Sequence, residues 1–522
     1  MKAQTQSENL RSALNAWTEE MGSARVVLQS KDMKKYEQNT LGISRHVPVC
    51  LKPADVPQLI QIVKIAQTWK IPVYPISTGK NWGYGCASPV EEGCAIIDLS
   101  GMNQILKFDE ELGLVTLQPG VTQQQLQNYL NEHHIPYMVP TTGAGPSASL
   151  LGNALERGYG LTPHADHFGA VTSIEAVLPN GQIYRSALSE LGGAEVDQVF
   201  KWGLGPYLDG IFSQGNFGIV TQATIALARR PSHIQGVIFT VKNDRDLEAA
   251  VLRLRKLAQT LGSNISNFNL IQGARIQAIS PYAPKAAWIG IGAIYGEKPL
   301  VKASRKIIVE TIRPCASRIF FFDKALILRI IKTIAFLSPI ARRRLKSLAE
   351  SLEQMLAVLS GIPTEAALPS VYANPQAAGT EKNLNPSKDG CGLFWYSPLI
   401  PMKPDAVRRC VSMVQETCAQ FGIPCMITLT AISDKCFDST LPILFDRADE
   451  AARKNAAACY EALFDAGKKL GFVPYRVGIQ SMSKVVDETK PFWQVVRAFK
   501  EALDPNHILA PGRYAPRPMK PG

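Results

Sequence analysis

Apolar residues recur at helical spacing through PADVPQLIQIVKIAQTWK (53–70), behind an aspartate placed to cap the first turn. The period then shortens. IPVYPIS (71–77), CAIIDLS (94–100) and GLVTLQPG (113–120) are short β-rich runs closed by turn residues, and they predict strands. TQQQLQNYLNEHH (122–134) returns to helical spacing with Thr122 as its N-cap. Strands and helices alternate to about residue 230. An Arg-Pro-Ser break follows, then a fresh strand (236–241), a helix (245–261) and a buried strand in AAWIGIGAIYG (286–296). The pattern predicts an α+β fold with a domain boundary near 232.

One segment departs from this alternation. FFFDKALILRIIKTIAFLSPIARRRLKSLAESLEQML (320–356) has an apolar face, a basic edge and a Pro break at 339. Asp323, Lys324, Arg329 and Lys332 interrupt the apolar run, which argues against a membrane span. Two readings remain open: a core-facing helix pair, or an interfacial segment that docks on an anionic membrane or a partner. YANPQAAGTEKNLNPSKDGCG (372–392) predicts a long polar loop of the kind often found near sites. The C-terminus closes in a Pro/Gly-rich turn and a basic tail.

Composition narrows the class. A chain of 522 residues, 46% apolar and 19% charged, has room for two or three globular domains. The net charge of +12 is scattered, and fits attraction for anionic ligands. No zinc-finger spacing, RNP-like aromatic run or long Lys/Arg tract supports nucleic acid. The polar start lacks the apolar core of a secretory signal, and the ten cysteines form no C-x-x-C pair. Both point to a cytoplasmic protein with reduced, packed thiols. His164 and His167 form an HxxH without a third ligand, so no metal is expected.

Candidate chemistry begins at PISTGKNWGYG (75–85). Its run of Ser, Thr, Gly, Lys and Asn can leave several main-chain N–H groups pointing one way, a nest for phosphate oxygens. A tight turn is the plain alternative. The stretch lacks the Gly-x-x-x-x-Gly-Lys-Ser/Thr of a triphosphate loop, and no strand leads into Gly-x-Gly-x-x-Gly. Two more stretches are dense in small residues: TTGAGPSASLLGNALERGYGLTPHADHF (141–168) and WGLGPYLDGIFSQGNFGIVT (202–221). Three backbone-exposing loops suit one long ligand with a diphosphate in its middle.

With LSGIPTEAALP, YRVGIQSM and ALDPNHILAPGR, these stretches run nearly end to end in one family's order. The sequence resembles the vanillyl-alcohol oxidase and para-cresol methylhydroxylase branch of FAD-linked oxidoreductases. The resemblance implies FAD as cofactor and a two-part PCMH-type FAD-binding domain, residues 1–232 with a return at 475–522. An α/β cap domain, 233–474, would cover the isoalloxazine ring and hold substrate. FAD would lie against Ser77, Thr78, Gly79, Lys80 and Asn81, against Gly152, Asn153 and Arg157, and beside Gly218 and Ile219. Tyr84, Tyr475 and Arg476 match the residues that hold a para-substituted phenol as its phenolate. A phenol with a pKa of about 10 ionises at neutral pH only when several donors hold the oxyanion. Asp166 matches an acid near flavin N5, where it would take a proton from attacking water; alternatively it pairs with His167 or Arg157. Arg513 matches a position near flavin or substrate. Trp395 and Tyr396 would line the cap side.

The implied reaction is hydride transfer from the benzylic carbon to flavin N5, through a quinone methide, followed by water addition or a second oxidation. Oxygen, a quinone or a cytochrome would take the electrons, and a homo-oligomer is expected. The sequence also departs from the family. TLTAISDKCFDSTLPILFDR (428–447) has no histidine where many members carry a His-His pair, and Asp434 and Asp438 are its nearby acids. The histidine type of covalent flavin attachment falls at Leu393, which cannot bond flavin, and the tyrosine type falls at Tyr372. Noncovalent FAD is therefore preferred over a link through Tyr372. The missing His-His pair leaves a non-phenolic metabolite as an alternative substrate for an oxidase or dehydrogenase, and the basic apolar segment 320–346 leaves a membrane-docked flavin-binding protein without turnover.

Overall fold

Three sheets carry the structure; the computed structural model describes residues 2–28, 30–279, 284–334, 339–372 and 383–516. The first sheet joins Val26–Val27, Cys50–Leu51, Ala95–Asp98 and Val73–Ile76 in that order, the last three strands parallel. The helix Val56–Trp69 packs on it. Asp55 accepts from the Gln58 amide at 2.9 Å to start this helix, and Lys70 ends it in the left-handed region at φ 53°. Leu59, Ile62, Val63 and Ala66 share one face and meet Val73 and Ile97 in a common core. The second sheet is antiparallel, in the order Ile105–Asp109, Leu114–Leu117, Ile219–Ala226, Val171–Val177 and Ile183–Arg185. Thr122 and Gln125 form a reciprocal capping box at the helix Gln123–Glu132.

The third sheet begins just past the Arg-Pro-Ser break. Its order is Arg318–Phe322, His233–Val241, Trp288–Gly296, Asn269–Gln272, Thr428–Ala431, Cys436–Asp446 and Cys391–Tyr396, with Leu399–Pro401 also paired to Cys436–Asp446. Every pairing is antiparallel. Leu247–Leu261, Lys298–Ile312, Pro404–Gln420 and Glu450–Lys469 contribute helical side chains to the core on one of its faces. Side chains alternate along a strand. Phe437, Leu441, Ile443 and Phe445 enter that core, so Asp438 and Thr440 face the other way. The same rule divides Cys391–Tyr396. Leu393 and Trp395 join Trp82 and Leu368 on the far face, whereas Phe394 and Tyr396 enter the helical core.

Segment 320–356 is not helical throughout. Its first three residues finish the strand Arg318–Phe322, and the helices Lys324–Ile334 and Pro339–Leu359 follow. Residues 335–338, just before the expected break, lie outside the described residues, as do 373–382 of the polar loop and the basic tail from 517. Ile327 and Leu352 bury against Phe322, Tyr295 and Met138, as in a core-facing helix pair. Leu328 and Ile331 remain exposed. Among the described residues no helix is long and apolar enough to cross a membrane. All ten cysteines are free thiols, eight of them buried.

The C-terminal segment returns to the first sheet, where Val73 donates to Ile508 and accepts from Ala510, both at 2.8 Å. A buried ion pair shapes this return. Asp504 accepts from the amides of Ile508 (3.1 Å) and Leu509 (2.9 Å) and lies 2.7 Å from Lys500 Nζ. Lys500 also donates to the Asn216 and Leu509 carbonyls at 2.8 and 2.9 Å. Breaking a buried pair leaves a stranded charge and costs about 3–5 kcal/mol. Asp504→Ala is expected to lose stability on that scale, read as a lowered urea midpoint. A loss below about 1 kcal/mol would show that the pair does not anchor the return.

Candidate active site

The small-residue loops meet in a cavity of ≈ 390 Å³, bounded by the first two sheets and the far face of the third. That size falls within the range of small-molecule sites. Residues 77–81 line one end. Gly79 takes φ 68°, and the main-chain N–H groups of Thr78, Gly79, Lys80 and Asn81 donate to no group among the described residues. Thr78 Oγ1 accepts from the Ser149 amide at 3.1 Å, which ties this loop to the short helix Leu150–Leu155. A Cβ on Gly152 would lie 2.3 Å from Ser77 Oγ, so only glycine lets the two loops approach. Gly83 serves another purpose. A Cβ there would lie 2.2 Å from Trp395 Cδ1, so its absence lets the loop dock under the third sheet.

The other end is built around one carboxylate. Glu156 Oε2 lies 3.2 Å from Arg476 Nε, and its other oxygen accepts from Arg513 Nη2. Burial pushes the Glu156 carboxyl up, but Arg513 and Arg476 outweigh burial and hold it below the usual range. Arg476 also donates to Asn81 Oδ1, and its guanidinium stands 4.3 Å from the Tyr84 ring centroid. The Tyr84 hydroxyl lies 2.9 Å from Ser397 Oγ, and Tyr475 meets Tyr159 edge-on at 5.6 Å. Burial pushes Tyr84 to about 12 and Tyr475 well above its ordinary value, so both remain protonated donors at neutral pH. Asp438 is buried on the sheet face above, and its Oδ1 has no hydrogen-bond partner. Burial raises its carboxyl to about 8, with Arg476 opposing. It is therefore a neutral acid at pH 7. Tyrosines and the Cys86 thiol aside, the ionisable groups lining the cavity are four cations and one acid: Lys80, Arg275, Arg476 and Arg513 against Glu156. Such a balance selects anionic ligands.

The cavity brings together most of the expected site. All of 77–81, Gly152, Asn153, Gly218, Ile219, Tyr84, Tyr475, Arg476 and Arg513 line it. Four expected residues do not. Arg157 turns to Ser213 Oγ at 2.8 Å. Asp166 is exposed and accepts from the Gly169 amide at 2.8 Å. Neither partner expected for Asp166 bonds it, because Arg157 is taken by Ser213 and His167 lies 2.5 Å from Asn153 Nδ2. Tyr372 donates to Asp389 at 2.6 Å, outside the lining. Tyr396 is a correction: strand alternation sends it into the helical core, and Trp395 alone of the pair faces the cavity. Glu156 and Arg275 were missed. Glu156 follows Gly152 by four residues, one helical turn, and that spacing could have found it.

Comparison with known proteins agrees with this geometry. The FAD binding domain family matches residues 47–187, and the C-terminal domain of FAD linked oxidases matches 404–514. The chain is 32% identical to 1'-carboxy-chondrochloren decarboxylase of Chondromyces crocatus, over 97% of this chain and 98% of that one. It is 27% identical to the 4-cresol dehydrogenase [hydroxylating] flavoprotein subunit of Pseudomonas putida, over 94% and 93%. The solved structure of p-cresol methylhydroxylase with substrate bound superposes with a TM-score of 0.86 at 25% identity, covering 98% and 97%.

The chain belongs to the vanillyl-alcohol oxidase and para-cresol methylhydroxylase family. It is an FAD-linked oxidoreductase. The residues present fit that cofactor: free amides at 78–81 suit the diphosphate, and the glycine contacts at 152 let it approach bare backbone.

Asp438 has a consequence for stability. Between its ordinary 3.8 and about 8, the folded chain holds a proton that the unfolded chain releases. The native state then binds more protons, so stability falls as pH rises through this window. Asp438→Asn is expected to flatten that fall in thermal melts of the holoenzyme from pH 5 to 8. A variant curve parallel to the wild type would contradict the assignment.

Proposed function

We propose that this family member oxidises a para-substituted phenol, or a related aromatic alcohol, at the benzylic carbon. One observation carries the reading: Arg476 is buried beside two tyrosines held in their protonated form. A guanidinium and two phenolic O–H donors can bind an oxyanion by charge-assisted hydrogen bonds, which are the strong kind. That lowers the pKa of a bound phenol. Glu156 and Asn81 fix the guanidinium from other sides. Asp438, neutral at pH 7, does not compete with the phenolate for Arg476.

When bound, FAD supplies a two-electron acceptor for the benzylic hydrogen and its bonding pair. The phenolate that loses them becomes a neutral quinone methide. Water adds at the exocyclic carbon, one proton leaves, and the ring returns to phenolate. A second oxidation of the resulting alcohol gives an aldehyde. The electrons must then leave the protein. The Pseudomonas putida relative is named as one subunit of its enzyme, which supports a partner protein as acceptor beside oxygen or a quinone.

The Chondromyces crocatus relative favours a second outcome at the same site, because its name is that of a decarboxylase. A substrate with a carboxylate on the carbon next to the benzylic position would form the same quinone methide. The electron pair of the carbon–carboxylate bond would then form a C=C bond, CO2 would leave, and the ring would regain its phenolate.

Anaerobic mixing of the holoenzyme with 4-ethylphenol is expected to bleach the flavin, whereas 1-phenylethanol is not. Arg476→Met is expected to slow bleaching by roughly 100-fold or more while FAD stays bound. Equal bleaching by the non-phenolic alcohol, or an unaffected variant, would sink the phenol reading.

A further inference from the structure

The cations lining the cavity are unequally matched. Arg476 and Arg513 share Glu156, and Lys80 lies 5.2 Å from the Trp82 ring beside the amide nest. Arg275 has no acid partner among the described residues. It stands in the helix Gly273–Ile279, directly after the strand Asn269–Gln272. Its Nη1 donates to Thr428 Oγ1 at 2.8 Å and to the Thr440 carbonyl at 3.2 Å, with Thr440 Oγ1 at 3.4 Å. Its guanidinium lies 5.5 Å from the Trp395 ring centroid. These contacts hold one edge of the fork, and no bond among the described residues uses Nε or Nη2. Burial alone acts on its pKa, lowering it to about 10, and no carboxylate opposes.

Register places this arginine away from the phenolate end. Thr440 pairs with Thr428, Asp438 pairs with Thr430, and both point away from the helical core, Thr440 into the cavity lining. Two residues along a strand span about 7 Å. Asp438 acts electrostatically on Arg476, Tyr84 and Tyr475. Arg275 is bonded at Thr440 and stacked near Trp395, which pairs with Pro442 one step further on. The cavity therefore has Arg476 coupled to the Asp438 position of this face and Arg275 bonded at Thr440, two residues further along the strand.

We propose that Arg275 anchors an anion subsite, and that the substrate is a 4-hydroxyaryl compound whose para side chain carries a carboxylate. The substrate class rests on the phenol reading above. A planar fork with one edge fixed presents parallel N–H donors, the match for a carboxylate. Without such a ligand the half-buried charge has no acid partner among the described residues.

The test compares holoenzyme and Arg275→Met with three ligands: 3-(4-hydroxyphenyl)propionate, 4-ethylphenol and 3-phenylpropionate. Anaerobic bleaching gives rates, and calorimetry gives binding of the third, which lacks the hydroxyl. The wild type is expected to favour the hydroxylated carboxylate over 4-ethylphenol by about 10-fold or more in kcat/KM. Arg275→Met should lower that value by roughly 30-fold, about 10-fold or more beyond any loss on 4-ethylphenol, and keep FAD bound. Arg275→Lys should recover part of the loss, since it restores charge without the fork. Equal losses on both phenols, absence of a wild-type preference, or release of FAD from the variant would each overturn the proposal. Bleaching by 4-ethylphenol with no advantage for the carboxylate removes the subsite and leaves the phenol reading standing. Binding of 3-phenylpropionate only when Arg275 is present, with no phenol oxidised, supports the subsite and removes the phenol reading.

Discussion

A single, largely buried carboxylate, Glu156, holds two guanidinium groups against the cavity, and the geometry of the site depends on it. Arg476 arrives from the loop after Pro474, and Arg513 from the C-terminal turn. Glu156 ends the helix that also carries Gly152 and Asn153. One side chain thus joins three distant stretches of chain. Burying a carboxylate is costly, and two arginines offset that cost. Their pairing leaves one positive charge in excess. Inside a cavity of reduced dielectric such a charge acts more strongly than at a surface.

The third sheet supplies the opposite wall by simple alternation. Phe437, Leu441, Ile443 and Phe445 pack into the helical core, and on the opposite face Thr440 lines the cavity, with Asp438 buried beside it. Gly83 lets the amide-rich loop lie directly under Trp395 on the same face. The wall and the nest are therefore fixed relative to one another by close contact. Arg275, Asp438 and Trp395 follow from that placement, so the polarity of the wall bears on which side chain a substrate can carry.

Much of this was legible in the sequence, for definable reasons. The helix 56–69 and its Asp55 cap, the N-cap at Thr122, and the strands at 73, 95 and 114 are local features, and local rules found them. The glycine-dense stretches pointed to bare backbone, and residues 78–81 do present free amides. The misses came from tertiary direction. Tyr396 beside Trp395 reads as a pair until the pleat separates them. Arg157 draws attention as the charged residue after Gly152 and Asn153, yet the helical turn delivers Glu156 to the cavity and leaves Arg157 on Ser213. Arg275 lies in no motif. Only the register of four strands shows where it stands.

The central claim is that the charge at Arg476 makes a bound phenol a phenolate at a pH where it is neutral in water. Fluorine NMR of 4-fluorophenol bound to the holoenzyme tests this directly, because that ligand has no benzylic carbon to oxidise and its resonance reports its ionisation. At pH 7 the account predicts the phenolate shift in the wild type and the neutral shift in any complex of Arg476→Met. A neutral phenol bound to the wild type would contradict it.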